Sequence, residues 1–389
     1  PDRVRFRRDR HLRVVLGCLR RGVSSERLWA RARAWLIQTL IPALIPTLGL
    51  ALLCGAPAAA EPAWHRPVKV VADSHMTVTT AAGSGAIPIY VSPQWSHPLP
   101  EIRRVIIVMH GVGRDAIGYL RGAEIARAEA GPYGRATLLI VPQFLADIDI
   151  ETYHLPPVML RWSADAWSGG EPAHGPAPLS TFDVFDALLQ RLADRALLPE
   201  LTEVVVAGHS AGGQVVQRYA IVGRGGAALA ARGITPRYVV ANPSSYLYFS
   251  DDRPMKINPA ACPEFDRWKY GLAGAPRYVG DATGLEQRYA TRNVIYLLGT
   301  ADTNPFEPAL DKSCGGEAQG PYRLARGEAY FAYMQTRHPD QLAQRVVLVP
   351  DVAHSGARMF GSVCGLAVLF DRPGCPGFAA ASAASKPHN

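Results

Sequence analysis

The sequence predicts an α/β protein: a mostly parallel central sheet flanked by helices, with two lid-like insertions. Three observations carry this expectation. Short apolar, β-branched runs recur along the chain. Amphipathic stretches with helical spacing lie between several of them. Two long segments without clean periodicity interrupt the alternation, and segments of that kind are usually functional excursions rather than plain connections.

The apolar runs are VKVV at 68–71, IPIYV at 87–91, VIIVM at 105–109, TLLIV at 137–141, VVVA at 204–207, YVVA at 238–241, VIYLL at 294–298 and VVLV at 346–349. Strands covered on both faces need no polar residue at alternate positions, so unbroken apolarity points to a parallel sheet. Ser180 is a candidate N-cap for the helix that follows, with Asp183 three residues on as the capping-box acid. Further helices are expected over 214–222 and 322–336. The first insertion, 143–180, carries Pro156, Pro157, Trp162 and Trp167. The second, 243–292, carries Pro243, Pro254, Pro259, Pro263 and Trp268.

The net charge of +8 does not indicate a nucleic-acid partner. Residues 1–60 hold 11 Lys+Arg against 3 Asp+Glu, and the rest of the chain holds 30 of each. The body therefore has no electrostatic footprint for a polyanion. Residues 1–60 run from an arginine-rich stretch through an apolar run starting near Trp35 to Ala58, Ala59 and Ala60. This is the order of a secretory signal and predicts a periplasmic or secreted protein. Retention as a membrane anchor is the alternative, with Pro42 and Pro46 interrupting the run. Any membrane contact is expected through this segment alone. The body follows at 61–378, and the Ala/Ser-rich stretch 379–389 reads as a disordered tail.

Four cysteines remain beyond the signal segment: Cys262, Cys314, Cys364 and Cys375. In an exported chain they suggest disulfides, with three possible connectivities. The closeness of Cys364 to Cys375 favours a local bridge, which leaves Cys262 with Cys314. No Cys/His spacing suggests a metal.

The chemistry is expected at Gly208-His209-Ser210-Ala211-Gly212, between the 204–207 strand and a helix. A serine on so sharp a turn needs small neighbours, and the strain tends to persist where it serves function. A serine hydroxyl also needs a base, and the base an orienting acid. Of the later histidines, His338 sits in a connection and His388 in the tail. His354 follows the last strand at its C-terminal end, where catalytic groups of parallel sheets gather. Asp302 ends the 294–298 strand at the same edge, with Asp311 and Asp351 as competitors. Asn242, at the end of the 238–241 strand, cannot serve as the acid. For a developing oxyanion, Ala211 offers one backbone N–H and the His110-Gly111-Val112-Gly113 loop a second, from Val112 or Gly113. Gly111 and Gly113 would let that backbone approach the substrate.

With MHGVG, AGHSAGG, LLGTAD and DVAHSG in this order, the chain resembles α/β-hydrolase-fold serine hydrolases over most of residues 66–370. The resemblance implies a Ser210-Asp302-His354 triad, an oxyanion hole from Ala211 and Val112, and no cofactor. It implies lid material at 143–180 and 243–292. Val112 departs from the His-Gly-Gly-Gly lipases.

The expected function is an exported hydrolase of carboxylic esters, small or polymeric. Trp162, Trp167, Tyr246, Tyr248 and Trp268 are candidates for an aromatic wall around an apolar substrate. Ordinary core packing is their alternative role. A peptidase of the same fold and a non-catalytic binding protein on the same scaffold are the competing functions.

Overall fold

A computed structural model describes residues 62–378. The expected signal segment at 1–60 and the tail at 379–389 lie outside the described residues. Among the described residues there are ten strands: β1 (His75–Thr80), β2 (Gly83–Ser92), β3 (Arg104–Met109), β4 (Thr137–Pro142), β5 (Leu145–Ala146), β6 (Arg161–Trp162), β7 (Glu203–His209), β8 (Arg237–Ala241), β9 (Val294–Gly299) and β10 (Arg345–Val349). The helices are α1 (Ala116–Glu129), α2 (Asp147–Tyr153), α3 (Thr181–Leu192), α4 (Ala211–Val222), α5 (Gly226–Ala230), α6 (Leu285–Ala290), α7 (Cys314–Glu317), α8 (Arg323–Arg337), α9 (Gly356–Gly361) and α10 (Val363–Phe370).

Eight strands form one sheet in the order β1-β2-β4-β3-β7-β8-β9-β10. From β4 to β10 every pairing is parallel, and β2 joins β4 antiparallel with the β1–β2 hairpin beyond it. The apolar runs supply both faces of this sheet. Val105, Ile107, Val204, Val206, Val240 and Tyr296 pack on one side with α3 and α4. Their neighbours Ile106, Val108, Val205, Val239, Ile295 and Val347 pack on the other with residues of α1, α9 and α10. Alternating side chains along each strand therefore both find a core, as their unbroken apolarity requires.

The capping expectation for α3 holds. Ser180 Oγ accepts from the Asp183 N–H at 3.2 Å, and the Asp183 carboxylate accepts from the Ser180 N–H at 2.7 Å. One strand expectation fails. Residues 68–71 are not in the sheet, and β1 begins at His75. Side chains rather than a ladder satisfy this backbone. The Val68 N–H donates to Asp149 Oδ1 at 2.8 Å, Gln143 Nε2 donates to the Val70 carbonyl at 2.9 Å, and the Ala72 N–H donates to Gln143 Oε1 at 3.0 Å. Arg114, fully buried, donates to both oxygens of the buried Asp149 carboxylate at 2.8 and 3.1 Å. It also donates to the carbonyls of Trp64 and Arg66 at 2.5 and 2.7 Å. Residues 64–72 are thus strapped across the molecule by a buried ion pair and one glutamine.

The two insertions lie against each other. The first holds β5, α2 and β6, and the second is mostly irregular before α6. Trp268 Nε1 donates to the Gly169 carbonyl at 2.8 Å, joining them. The cysteines are bonded as Cys262–Cys314 and Cys364–Cys375. The first bridge ties the second insertion to α7. Among the described residues, no helix is long and apolar enough to cross a membrane.

Candidate active site

The turn from β7 into α4 places Ser210 at φ 61°, ψ −124°, a region that L side chains rarely occupy. The turn is tight because its neighbours lack a Cβ. A Cβ on Gly208 would lie 2.2 Å from the Gly212 carbonyl oxygen, and one on Gly212 would lie 2.5 Å from that of His110. Both glycines are required by space. The Ser210 N–H donates to the Ala241 carbonyl at 3.0 Å, which holds the turn against β8.

His354 and Asp302 reach this serine from adjacent parallel strands. β9 and β10 run side by side, so the turns after them open at one sheet edge. His354 Nε2 lies 2.9 Å from Ser210 Oγ, and His354 Nδ1 lies 2.8 Å from Asp302 Oδ2. A carboxylate only accepts, so Nδ1 carries the proton and Nε2 is left to accept from the serine. Asp302 is buried, with Arg323 Nη1 3.8 Å from its other oxygen. The rival acids are committed elsewhere. Asp351 is exposed, and its N–H donates to Thr300 Oγ1. Asp311 accepts from the Tyr270 and Ser313 hydroxyls at 2.7 Å each. Burial pushes the Asp311 pKa up, but Lys269 and these hydrogen bonds outweigh it and hold it below the usual carboxylate range. Asn242 Oδ1 accepts from the Gly299 N–H, and His338 Nε2 lies 3.0 Å from Glu286.

Two further histidines shape the site. His110 is fully buried and its ring is satisfied on both sides. Nδ1 donates to the Gly111 carbonyl at 2.9 Å, and Nε2 accepts from the Phe144 N–H at 3.0 Å. Burial lowers its pKa to about 4. The Gly111 carbonyl also accepts from the Arg114 N–H at 3.0 Å. A peptide unit is planar and trans, so pinning that carbonyl fixes the direction of the Val112 N–H. The His209 ring lies 4.5 Å from the His354 ring at a tilt of 33°, with Nδ1 3.0 Å from the Tyr119 hydroxyl. Burial, and then His354 and Arg323, keep its pKa well below the ordinary value. His209 is therefore neutral, and an imidazolium forming at His354 meets no second cation on that ring.

Ser210, Ala211 and Val112 open onto a cleft of about 150 Å³, whose walls include Gln214, Ser168, Lys269, Asp311 and Trp64. The five aromatics proposed from the sequence do not line it, and Tyr248 is buried. Trp162, Trp167 and Tyr246 are fully buried in the core, where Trp167 stacks on Phe144 at 5.8 Å and Tyr246 on Tyr330 at 4.6 Å. Trp268 packs against the same core with its N–H bound to Gly169. A wide apolar ring gains more from this burial than from the edge of a polar cleft. A Cβ on Gly113 would meet nothing within 4 Å, whereas one on Gly111 would meet the Tyr119 hydroxyl at 3.0 Å. A larger cavity of about 680 Å³ lies beside Arg224, Ala230 and Arg292, and none of Ser210, Asp302 and His354 lines it.

The sequence reading did not single out Gln214, Lys269, Ser168 or Trp64. Gln214 alone had a signal, because it lies one helical turn after Ser210 and shares its face. For metals, the described residues offer one trio with ligating atoms within 4.8 Å of each other: Cys262, Glu264 and Cys314. Its two sulfurs are bonded to each other, which leaves a single carboxylate.

The sheet order, the elbow and the helices on both faces define a protein of the α/β-hydrolase fold. No family model and no curated protein matches the chain. Among solved structures it is similar to poly(aspartic acid) hydrolase-1 from Sphingomonas sp. KT-1, with 23% identity, 76% of this chain and 96% of that chain covered, and a TM-score of 0.50. It is also similar to a poly(3-hydroxybutyrate) depolymerase from Bordetella parapertussis, with 21% identity, 77% and 91% covered, and a TM-score of 0.53. At these identities the likeness is one of fold.

Proposed function

We propose that this protein is an exported serine hydrolase that cleaves carboxylic esters. The observation that carries the reading is the hydrogen-bonded series from Ser210 Oγ through the His354 ring to Asp302, at 2.9 and 2.8 Å. Ser210 attacks the acyl carbon while His354 takes its proton at Nε2. Asp302 keeps the His354 ring in the accepting tautomer and stabilises the imidazolium. The oxyanion is received by the Ala211 N–H, at the positive end of α4, and by the Val112 N–H. His354 then protonates the leaving alkoxide, and water activated by the same ring releases the acid. Two disulfides support an oxidising destination.

The test uses purified protein beginning at residue 61. A fluorophosphonate probe is expected to label the wild type and not Ser210→Ala, and the same substitution is expected to abolish ester hydrolysis. The substrate panel includes simple esters, aminoacyl amides, poly(aspartic acid) and poly(3-hydroxybutyrate). Turnover of amides with no turnover of esters would replace the reading with a peptidase. Labelling that survives Ser210→Ala would remove the nucleophile assignment.

A further inference from the structure

The cleft beside Ser210 carries a donor whose direction is fixed from behind. Gln214 lies one turn along α4 from the serine, and the residue is only 7% exposed. Its Oε1 accepts from the Ser245 hydroxyl at 2.8 Å and faces both terminal nitrogens of Arg218 at 3.4 Å. Arg218 Nη2 donates to Ser245 Oγ at 3.1 Å, so the Ser245 proton is directed onward to Gln214. A guanidinium has donors only, and Arg218 is fully buried. Turning the amide over would set its NH₂ against that cation. Oε1 must therefore point inward, and Nε2 faces the cleft with no acceptor among the described residues. A donor aimed into the cleft beside the nucleophile is placed to bind an acceptor of the substrate.

The charges lining the cleft say what kind of acceptor fits. Lys269 Nζ lies 3.8 Å from Asp311 Oδ2 and 4.0 Å from Asp165 Oδ2. Its charge is already opposed by two carboxylates, so the wall does not favour an anion. The cleft holds about 150 Å³, enough for a short acyl chain. The carbonyl oxygen of the scissile ester goes to Ala211 and Val112. Gln214 must then meet a second, neutral oxygen on the acyl group.

We propose that Gln214 is a specificity-determining residue that selects esters of short hydroxyacyl groups over their plain alkyl counterparts. The proposal rests on the serine-hydrolase reading above. It is tested with the p-nitrophenyl esters of 3-hydroxybutyrate, butyrate and hemisuccinate, which share one leaving group. Wild-type kcat/KM is expected to be at least about ten-fold higher for 3-hydroxybutyrate than for butyrate. Gln214→Met and Gln214→Leu each remove the donor and supply no acceptor in its place. Both are expected to bring the ratio close to one. A wild-type ratio near one, a ratio unchanged in both variants, or a preference for hemisuccinate overturns the proposal. The wild-type ratio and the Leu variant decide the matter if the Met variant does not fold. Fluorophosphonate labelling of Ser210 with equal turnover of both butyrates refutes this inference alone. Absence of labelling and of all ester turnover removes the parent reading and this inference together.

Discussion

Acidification should weaken this protein through one ring behind the oxyanion loop. His110 is fully buried, donates from Nδ1 to Gly111 and accepts at Nε2 from Phe144. Protonation would place a hydrogen on Nε2 facing the Phe144 N–H, so the ring resists charge and its pKa falls from 6.5 to about 4. Burial is the main cause; Arg114 adds to it, while the Gly111 carbonyl, Asp115 and Asp149 oppose it. The unfolded chain binds this proton near pH 6.5 and the folded chain only near pH 4. Stability from this group is therefore complete above about pH 6.5 and is lost as pH falls toward about 4. Between about pH 7.5 and about pH 5 the loss comes to about 2 kcal/mol. Other groups titrate over the same range, His209 in the same direction, so the variant His110→Asn supplies the background. It keeps a donor for Gly111 and orphans the Phe144 N–H, which costs about 1–3 kcal/mol at neutral pH. Urea unfolding of both proteins at the two pH values gives two stability gaps. The gap between wild type and variant should narrow by about 2 kcal/mol on acidification. A gap that stays constant would show that the His110 ring does not resist protonation in the folded state.

The Cys262–Cys314 bridge closes a loop with a sequence separation of 52. Replacing both cysteines by serine should lower stability by about 4 kcal/mol on the chain-entropy estimate. Unfolding midpoints with and without reductant check this, and a wild-type midpoint indifferent to reduction of that bridge would contradict it. Trp162 is wholly buried, and its Nε1 donates to the Glu171 carbonyl at 3.0 Å. Trp162→Ala should cost about 3–5 kcal/mol of stability while leaving the ratio of kcat/KM between acyl chains unchanged. A changed ratio with an unaltered melting temperature would return this ring to the substrate pocket.

The parts of the fold that were legible are those that local sequence determines. Val105 to Met109 and Val204 to Ala207 read as buried strands because both of their faces find a core. The edge strand β1, HMTVTT, carries no such run, since most of its residues are exposed or half-buried. Residues 68–71 looked like a strand and are not one, because their partners are Gln143 and Asp149, more than seventy residues away. The three residues that meet at the sheet edge could be read from strand ends and motif order. The cleft walls could not, because Lys269, Ser168 and Asp311 come from irregular segments whose path depends on packing. The aromatics were misplaced for the same reason. Composition marks a tryptophan as valuable to bury, but only the course of the insertions decides whether it faces the core or the substrate.

The strap formed by residues 64–72 makes the order of synthesis matter. It is the first described part of the chain to be made, yet none of its anchors exists until Arg114, Gln143 and Asp149 follow. The Val68–Asp149 bond alone spans 81 residues. Until then this stretch has no ladder of its own to join, so it is placed by the body it later crosses. Because Trp64 is also one wall of the cleft, the beginning of the body completes the pocket only after the middle has been built. Trimming the chain past Trp64 would not merely shorten an end. It would take a wall from the cleft and uncover a charge pair that the rest of the molecule has sealed from water.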